Sequence, residues 1–289
     1  MSHLLTTGIF NQRAAAAAAY PLDGLATYKY EMALIQLRTG ITNVVKIRRT
    51  AGSPATADFT ATQLTDGTAG AWVGVGNNGF VDTLYDQSGN GNHFTQATTA
   101  EQLKIINNGV YLGWMATNAG AVSKLDVESG IDTSAAHFVL LVASTACGAS
   151  GWLRAGLFGT RATGTGTRGS FSRKLADGVG TIWYLGVRQA NLVRQVRGTT
   201  ALTANQNYLQ MHSYNGTTYA AELNGTTETT ATDTTPHAAP PPTDNTSYIG
   251  NIVTYEEDGQ RIRCFIGAGT NRDADAATIS ANIKTAYGL

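Results

Sequence analysis

The chain has 289 residues and a formal net charge of zero, with only 14% charged residues, so it exerts no long-range attraction on nucleic acid or on a membrane surface. Thr, Gly, Ala and Asn take the place of charge, a composition that favours strands and turns over helices. No apolar run approaches membrane-spanning length, and MSHLLTTGIFNQR lacks the charged start and apolar stretch of a secretory signal, so classical export is not expected.

In chain order, RAAAAAAYPLDG (13–24) is broken by Pro21 and Gly24, and it reads as an arm that gains order against a neighbour. A helix is expected around Ala26–Arg38. VVKIRR (44–49) reads as a strand from its β-branched residues, and DFTATQL (58–64) alternates apolar and polar residues as a half-buried strand does. FVDTLYD (80–86) is a further strand that leads into the polar loop SGNGNHFTQAT. LKIINNGVYLGW (103–114) is a hairpin that turns at Asn107-Asn108-Gly109.

HFVLLVAST (137–145) is a continuous apolar run, which predicts a central strand buried on both faces. TIWYLGVRQ (181–189) and LVRQVRG (192–198) follow as strands. QNYLQMHSYNGTTYAAELNGTTET (206–229) carries the strongest hairpin signal, with turns at Asn215-Gly216 and Asn224-Gly225. After the stiff AAPPPT connector (238–243) come SYIGNIV and QRIRCFIG (260–267). DADAATISANIKTAYGL is one helix, capped by Asp273 or Asp275 and stopped by Gly288. Many short strands and one closing helix predict an all-β, two-sheet jelly-roll sandwich over 44–289, with 1–43 as an N-terminal arm and packing helix.

Charge is segregated. Eight basic residues and the single acid Asp177 lie between Gly151 and Thr200, whereas Gly198–Gln260 has seven acids and no Lys or Arg. Two readings stand: neighbouring strands that neutralise each other, or complementary patches between copies of the chain. Cys147 and Cys264 sit in apolar surroundings and read as buried thiols, although one long-range disulfide is compatible with them. Neither belongs to a zinc pattern.

YDQSGNGNHFTQAT (85–98) concentrates the polar residues that chemistry uses. Asp86, Ser88, Asn90 and Gly91 mimic the first half of an EF-hand loop, but the twelfth position is Ala97 rather than a bidentate Glu. Calcium at Asp86 and Asn90 is one reading. The other is a structural turn formed by Tyr85, Asp86, Gly89, Asn90, Gly91 and Asn92, with Asp86 and Asn90 folded back onto backbone N–H groups. His93, His212 and His237 share no metal spacing. No Gly-x-Ser-x-Gly elbow exists, and the glycines of GTRATGTGTRG (159–169) lack the Lys-Ser/Thr of a phosphate loop. Asn215, Asn224 and Asn245 fit the N-glycosylation pattern, but hairpin turns account for the first two.

HSYNGTTYAAELNGT (212–226) and the SYIGNIV…RCFIGAGTNRDADAATISANIKTAYG stretch resemble concanavalin A-like, laminin-G-like jelly rolls. YDQSGNGNHFTQAT resembles the hallmark of the catalytic jelly roll of arabinofuranosidase B-type glycosidases, which also occurs in virion and tail proteins of bacteriophages. In the phage proteins it follows VVKIRR-, DFTAT- and GNNGFV-like segments, all of which occur here in that order. The resemblance covers roughly 41–289.

Glycosidic hydrolysis needs two facing carboxylates. Where the glycosidase family places its nucleophilic glutamate, before an Ile-Tyr-Leu-Gly-like strand, this chain has Thr181. The family's acid/base turn corresponds to Glu256, Glu257 and Asp258, and the family's adjacent cysteine pair is missing. The resemblance therefore implies a non-enzymatic structural protein of a bacteriophage virion, as a head decoration or tail/baseplate component, without a required cofactor. Other virion proteins and further copies of the chain are the implied partners. The alternative is a carbohydrate-binding module for host-surface glycan, with Trp72, Trp114, Trp152 or Trp183 as stacking platform; a diverged glycosidase is the third reading.

Overall fold

The computed structural model describes residues 20–53, 55–117, 122–127, 136–144, 158–161, 169–176, 181–189, 192–201, 203, 205–232, 246–251, 261–270 and 273–289. The first half contains β1 (Tyr30–Ala33), β2 (Val45–Arg49), β3 (Thr56–Phe59), α1 (Ala61–Thr65), α2 (Thr68–Val73), β4 (Gly79–Leu84), β5 (Phe94–Thr95), β6 (Lys104–Asn107), β7 (Val110–Ala116) and β8 (Ser123–Val127). The second contains β9 (His137–Ser144), β10 (Phe158–Arg161), β11 (Gly169–Ala176), β12 (Thr181–Gln189), β13 (Leu192–Ala201), β14 (Tyr208–Tyr214), β15 (Thr218–Leu223), β16 (Thr226–Thr232), β17 (Thr246–Asn251), β18 (Arg261–Ala268) and α3 (Asp273–Tyr287).

The long sheet runs β10-β17-β8-β5-β4-β6-β7-β18-β9-β14-β15-β16, with β1 added to β18 and the β2–β3 pair added to β4; β11-β12-β13 form a second sheet. Every pairing is antiparallel. The long sheet closes over a main core in which Val45, Ile47, Val81, Leu84, Ile106, Leu125 and Ile249 meet Tyr30, Met32, Val139, Leu141 and Phe265. The fold is thus the all-β sandwich with a C-terminal helix that the strand pattern predicts.

β9 is the clearest case. All eight of its residues are buried, and its alternate side chains serve two cores. Val139, Leu141 and Ala143 enter the main core, whereas Phe138, Leu140 and Val142 face the opposite way. That outer face is covered by Ile279 and Ile283 of α3 together with Leu22, Tyr28 and Leu37 from the segment before β2. Each isoleucine is fully buried, a gain of about 1.5–3 kcal/mol apiece. Gly288 ends the helix at φ 66°, and the N–H of Leu289 returns to the carbonyl of Lys284 at 3.0 Å.

The hairpins form as their turn residues demand. Asn108 and Gly109 both have positive φ, as do Asn224 and Gly225, which is the twist a two-residue hairpin turn requires. In the loop between β14 and β15, Asn215 Oδ1 accepts the N–H groups of Thr217 and Thr218. Cys264 is a buried free thiol, while Cys147 lies outside the described residues, as do the 1–19 arm and the 238–243 connector.

Two local expectations are corrected. Instead of a helix at Ala26–Arg38 there is β1, with Tyr30 opposite Gly267 and Ala33 opposite Cys264. Helix propensity yields here to pairing with a strand more than two hundred residues away. The expected strand 58–64 stops at Phe59, because Thr60 and Gln63 form a reciprocal capping box that starts α1.

Candidate functional site

The loop between β4 and β5 is fixed by its own polar side chains. Asp86 is buried. Its Oδ1 accepts the N–H groups of Glu31 (3.0 Å) and Ser88 (3.1 Å). Its Oδ2 accepts the Ser88 hydroxyl (2.7 Å) and the Asn92 N–H (3.1 Å). His93 Nδ1 accepts the N–H of Asp86, and the His93 ring stands edge-on to Tyr85 at 5.1 Å. Tyr85 in turn donates its hydroxyl to Asp58, and burial with that carboxylate raises its pKa above the ordinary phenol value. Gly89 and Gly91, both at positive φ, let the chain reverse.

The loop then docks along β1. Asn90 donates to Tyr28 O at 2.8 Å and Asn92 to Lys29 O at 2.9 Å. Gln87 donates its N–H to Glu31 O, and its side chain donates to Ala33 O and Ile35 O while accepting the Leu37 N–H at 2.8 Å. β1 therefore has β18 on one side and Asp86 and Gln87 on the other, while Asn90 and Asn92 hold the two residues that precede it. Glu31, fully buried, binds Arg38 through both oxygens, at 2.6 and 2.8 Å, and also takes the Tyr28 N–H. Arg38 directs its remaining donors at the carbonyls of Leu22, Leu25 and Ala26, and Glu31 raises its pKa.

A calcium ion at Asp86 and Asn90 would have to displace four N–H or O–H donors from the carboxylate, and the Asn90 amide is directed at a carbonyl. This donor set does not suit a cation, so no step is assigned to one. Among the described residues no group of three His, Cys, Asp or Glu side chains stands at metal-binding distance.

The four tryptophans do not form one described platform. Trp72 lies on α2 with its ring edge-on to Phe59 at 5.3 Å and the Arg49 guanidinium 4.3 Å above it. Trp114 lies on β7 beneath Arg261 at 4.5 Å and Arg263 at 5.9 Å. Trp183 is on β12, with its side chain outside the described set, and Trp152 is outside altogether. Thr181 opens β12, while Glu256, Glu257 and Asp258 fall outside the described residues.

Sequence reasoning missed a second polar group on the inner face. His137, His212, Tyr214 and Tyr219 converge there, with the two tyrosines stacked at 4.2 Å and the imidazoles 5.7 Å apart. Burial, with His137 beside it, holds the His212 pKa well below the usual imidazole value. The alternation of Tyr208, Gln210, His212 and Tyr214 along one strand is the signal that marks this face.

No protein-family model matches the chain, and neither does any curated protein sequence. Solved structures do match. A GH54 α-L-arabinofuranosidase mutant soaked with 4-nitrophenyl α-L-arabinofuranoside aligns at TM-score 0.59 and 13% identity, over 89% of this chain and 62% of its own. An arabinofuranosidase complexed with arabinofuranosyl-α-1,2-xylobiose aligns at 0.59 and 14%, over 88% and 61%. The ligand-binding domain of botulinum neurotoxin serotype D, in complex with N-acetylneuraminic acid, aligns at 0.51 and 12%, over 71% and 48%. The chain thus spans about three fifths of the length of the arabinofuranosidases it matches, and at these identities the likeness is one of fold.

Proposed function

We propose that the chain is a non-enzymatic, carbohydrate-binding β-sandwich displayed on the surface of a bacteriophage particle. The observation that carries the reading is the likeness in fold to arabinofuranosidases over nearly nine tenths of the chain, combined with Thr181 at the head of β12. A hydroxyl there cannot serve as a glycosidase nucleophile without an adjacent base. The toxin domain with a bound sialic acid adds a second relative by fold that holds a sugar. The order of VVKIRR, DFTAT, GNNGFV and YDQSGNGNHFTQAT supports the virion context, with other particle proteins and further copies of the chain as neighbours.

The test is a glycan array of bacterial surface polysaccharides run beside a 4-nitrophenyl arabinofuranoside assay. Binding without turnover is the expected result. An array without any bound glycan would remove the carbohydrate reading. Turnover that disappears in Glu257→Gln would establish a diverged glycosidase instead. For the virion role, deletion of residues 1–20 should abolish incorporation into particles while the sandwich still folds; normal incorporation would remove the attachment role of the arm.

A further inference from the structure

On the inner face of the long sheet, β9, β14 and β15 bring their side chains together in two neighbouring rows. His137, Tyr214 and Tyr219 lie opposite one another in the first row, and Val139, His212 and Ala221 in the second. His212 thus has an apolar side chain on each flank and the His137 ring 5.7 Å away. Both imidazoles are buried, and His212 Nε2 has no hydrogen-bond partner among the described residues. The tyrosines, Ala221 and Leu223 form a small cluster of their own, apart from the main core, at the β14-β15-β16 end of the sheet.

A buried imidazole takes up a proton readily only where a counter-charge receives it. The other titratable groups described on this face are His137, Tyr208, Tyr214 and Tyr219, and none is a carboxylate. Tyr214 donates its hydroxyl to Gly216 O, and Tyr208 donates to Gln206. β18 contributes Phe265 and Gly267 beside β9. Glu222 of β15 lies opposite Met211, a residue of the outer core, and the Glu228 carboxylate of β16 is held by the N–H and hydroxyl of Thr200. β13, packed against β15 and β16, carries Arg194 and Arg197 and no acid, while α3 and its charges lie behind the sheet. A proton on His212 therefore meets a second imidazole and no counter-charge. Opening the strand exposes the ring to water, where it accepts a proton near its usual value of about 6.5, so acid favours the opened form by up to about 10-fold per pH unit below that value.

We propose that His212, with His137 beside it, makes the β14-β15-β16 end of the sandwich an acid-operated latch, closed at neutral pH and opened locally in mild acid while the β2, β4 and β6 region stays folded. The opening is local because this end is held by its own small cluster, and parts of a fold held by few apolar contacts open before the rest. The latch does not depend on the carbohydrate-binding reading.

The test uses the full chain. Backbone hydrogen exchange, expressed as protection relative to the unstructured rate at the same pH, is compared at about pH 7 and about pH 5. Peptides covering β14 and β15 should lose about 10-fold or more of their protection in acid, while those covering β2, β4 and β6 keep theirs. His212→Phe and His212→Gln, where folded at neutral pH, should each abolish that difference. Equal loss of protection in all strands, or a loss that persists in a folded variant, would overturn the latch. Imidazole NMR of the unaltered chain gives a reading that needs no variant. The His212 resonance should take up its proton only as the β14 amides lose protection, and protonation of His212 with β14 still protected would overturn the proposal.

Discussion

The carboxylate of Asp86 accepts the backbone N–H of Glu31 at 3.0 Å across 55 residues of sequence, and Gln87 donates its own N–H back to the carbonyl of Glu31. This exchange is the pattern of an antiparallel strand pair, made on one side by a side chain. It ties the loop to β1 at a point where both carboxylates are buried.

Asp86→Ala removes the acceptor of four donors at once. Several buried donors then lose their partner, and the expected loss is about 2–4 kcal/mol. Asp86→Asn should cost less, since one oxygen still accepts, although its amide meets the Asn92 N–H. Urea unfolding followed by tryptophan fluorescence measures both. A loss below that of an ordinary surface substitution would show that the loop does not hold β1.

Glu31 and Arg38 form an ion pair with side-chain exposures of 0% and 14%. Removing one partner strands the other charge, so Glu31→Gln and Arg38→Met should each destabilise by about 3–5 kcal/mol. The double variant should lose clearly less than the sum. Simple additivity in the same unfolding assay would contradict the coupling.

His212 is buried and its folded-state pKa lies well below the usual value of 6.5. The unfolded chain therefore binds a proton that the folded chain refuses. The stability attached to this group is full above about pH 6.5 and declines as pH falls below it, by up to about 1.4 kcal/mol per pH unit. In His212→Gln that slope should flatten when unfolding is measured between mildly acidic and neutral pH. An unaltered slope would assign the acid sensitivity to other groups.

Cys264 is fully buried, and burial raises its pKa well above that of a free thiol. In a Cys147→Ser background the native protein should not react with a thiol reagent, and unfolding should release one reactive equivalent. Rapid labelling of the native form would contradict the packing of α3 over β18.

Ile283→Ala, on the buried face of α3, should cost about 2–5 kcal/mol through the cavity it leaves among Leu140, Leu209 and Ile266. Thermal unfolding checks this, and a cost below about 1 kcal/mol, close to that of a surface change, would mean that the helix does not cover the outer core.

What could be read from the sequence was local. The 206–229 hairpins follow from Asn-Gly turns, which impose positive φ without help from elsewhere, and β9 follows from an unbroken apolar run. The helix expected at Ala26–Arg38 failed for the converse reason. Strand β1 exists because β18, Asp86 and Gln87 take up its backbone groups, and none of these is near in sequence. The loop 85–92 stood out by composition, but only the fold shows that Asn90 and Asn92 point at Tyr28 and Lys29. For Trp114, the residue type suggested stacking on a sugar, whereas the bulge at Arg263 that sets a second guanidinium beside it leaves no mark in the sequence.

Asp86 and Gln87, laid against the free edge of β1, also govern how copies of this chain treat one another. Bare strand edges recruit other strands, and a polypeptide cannot add to an edge whose Glu31 N–H and whose Glu31 and Ala33 carbonyls are already bound by Asp86 and Gln87. A variant with this loop loosened would first betray itself by self-association at high concentration, while most of its sandwich remained folded.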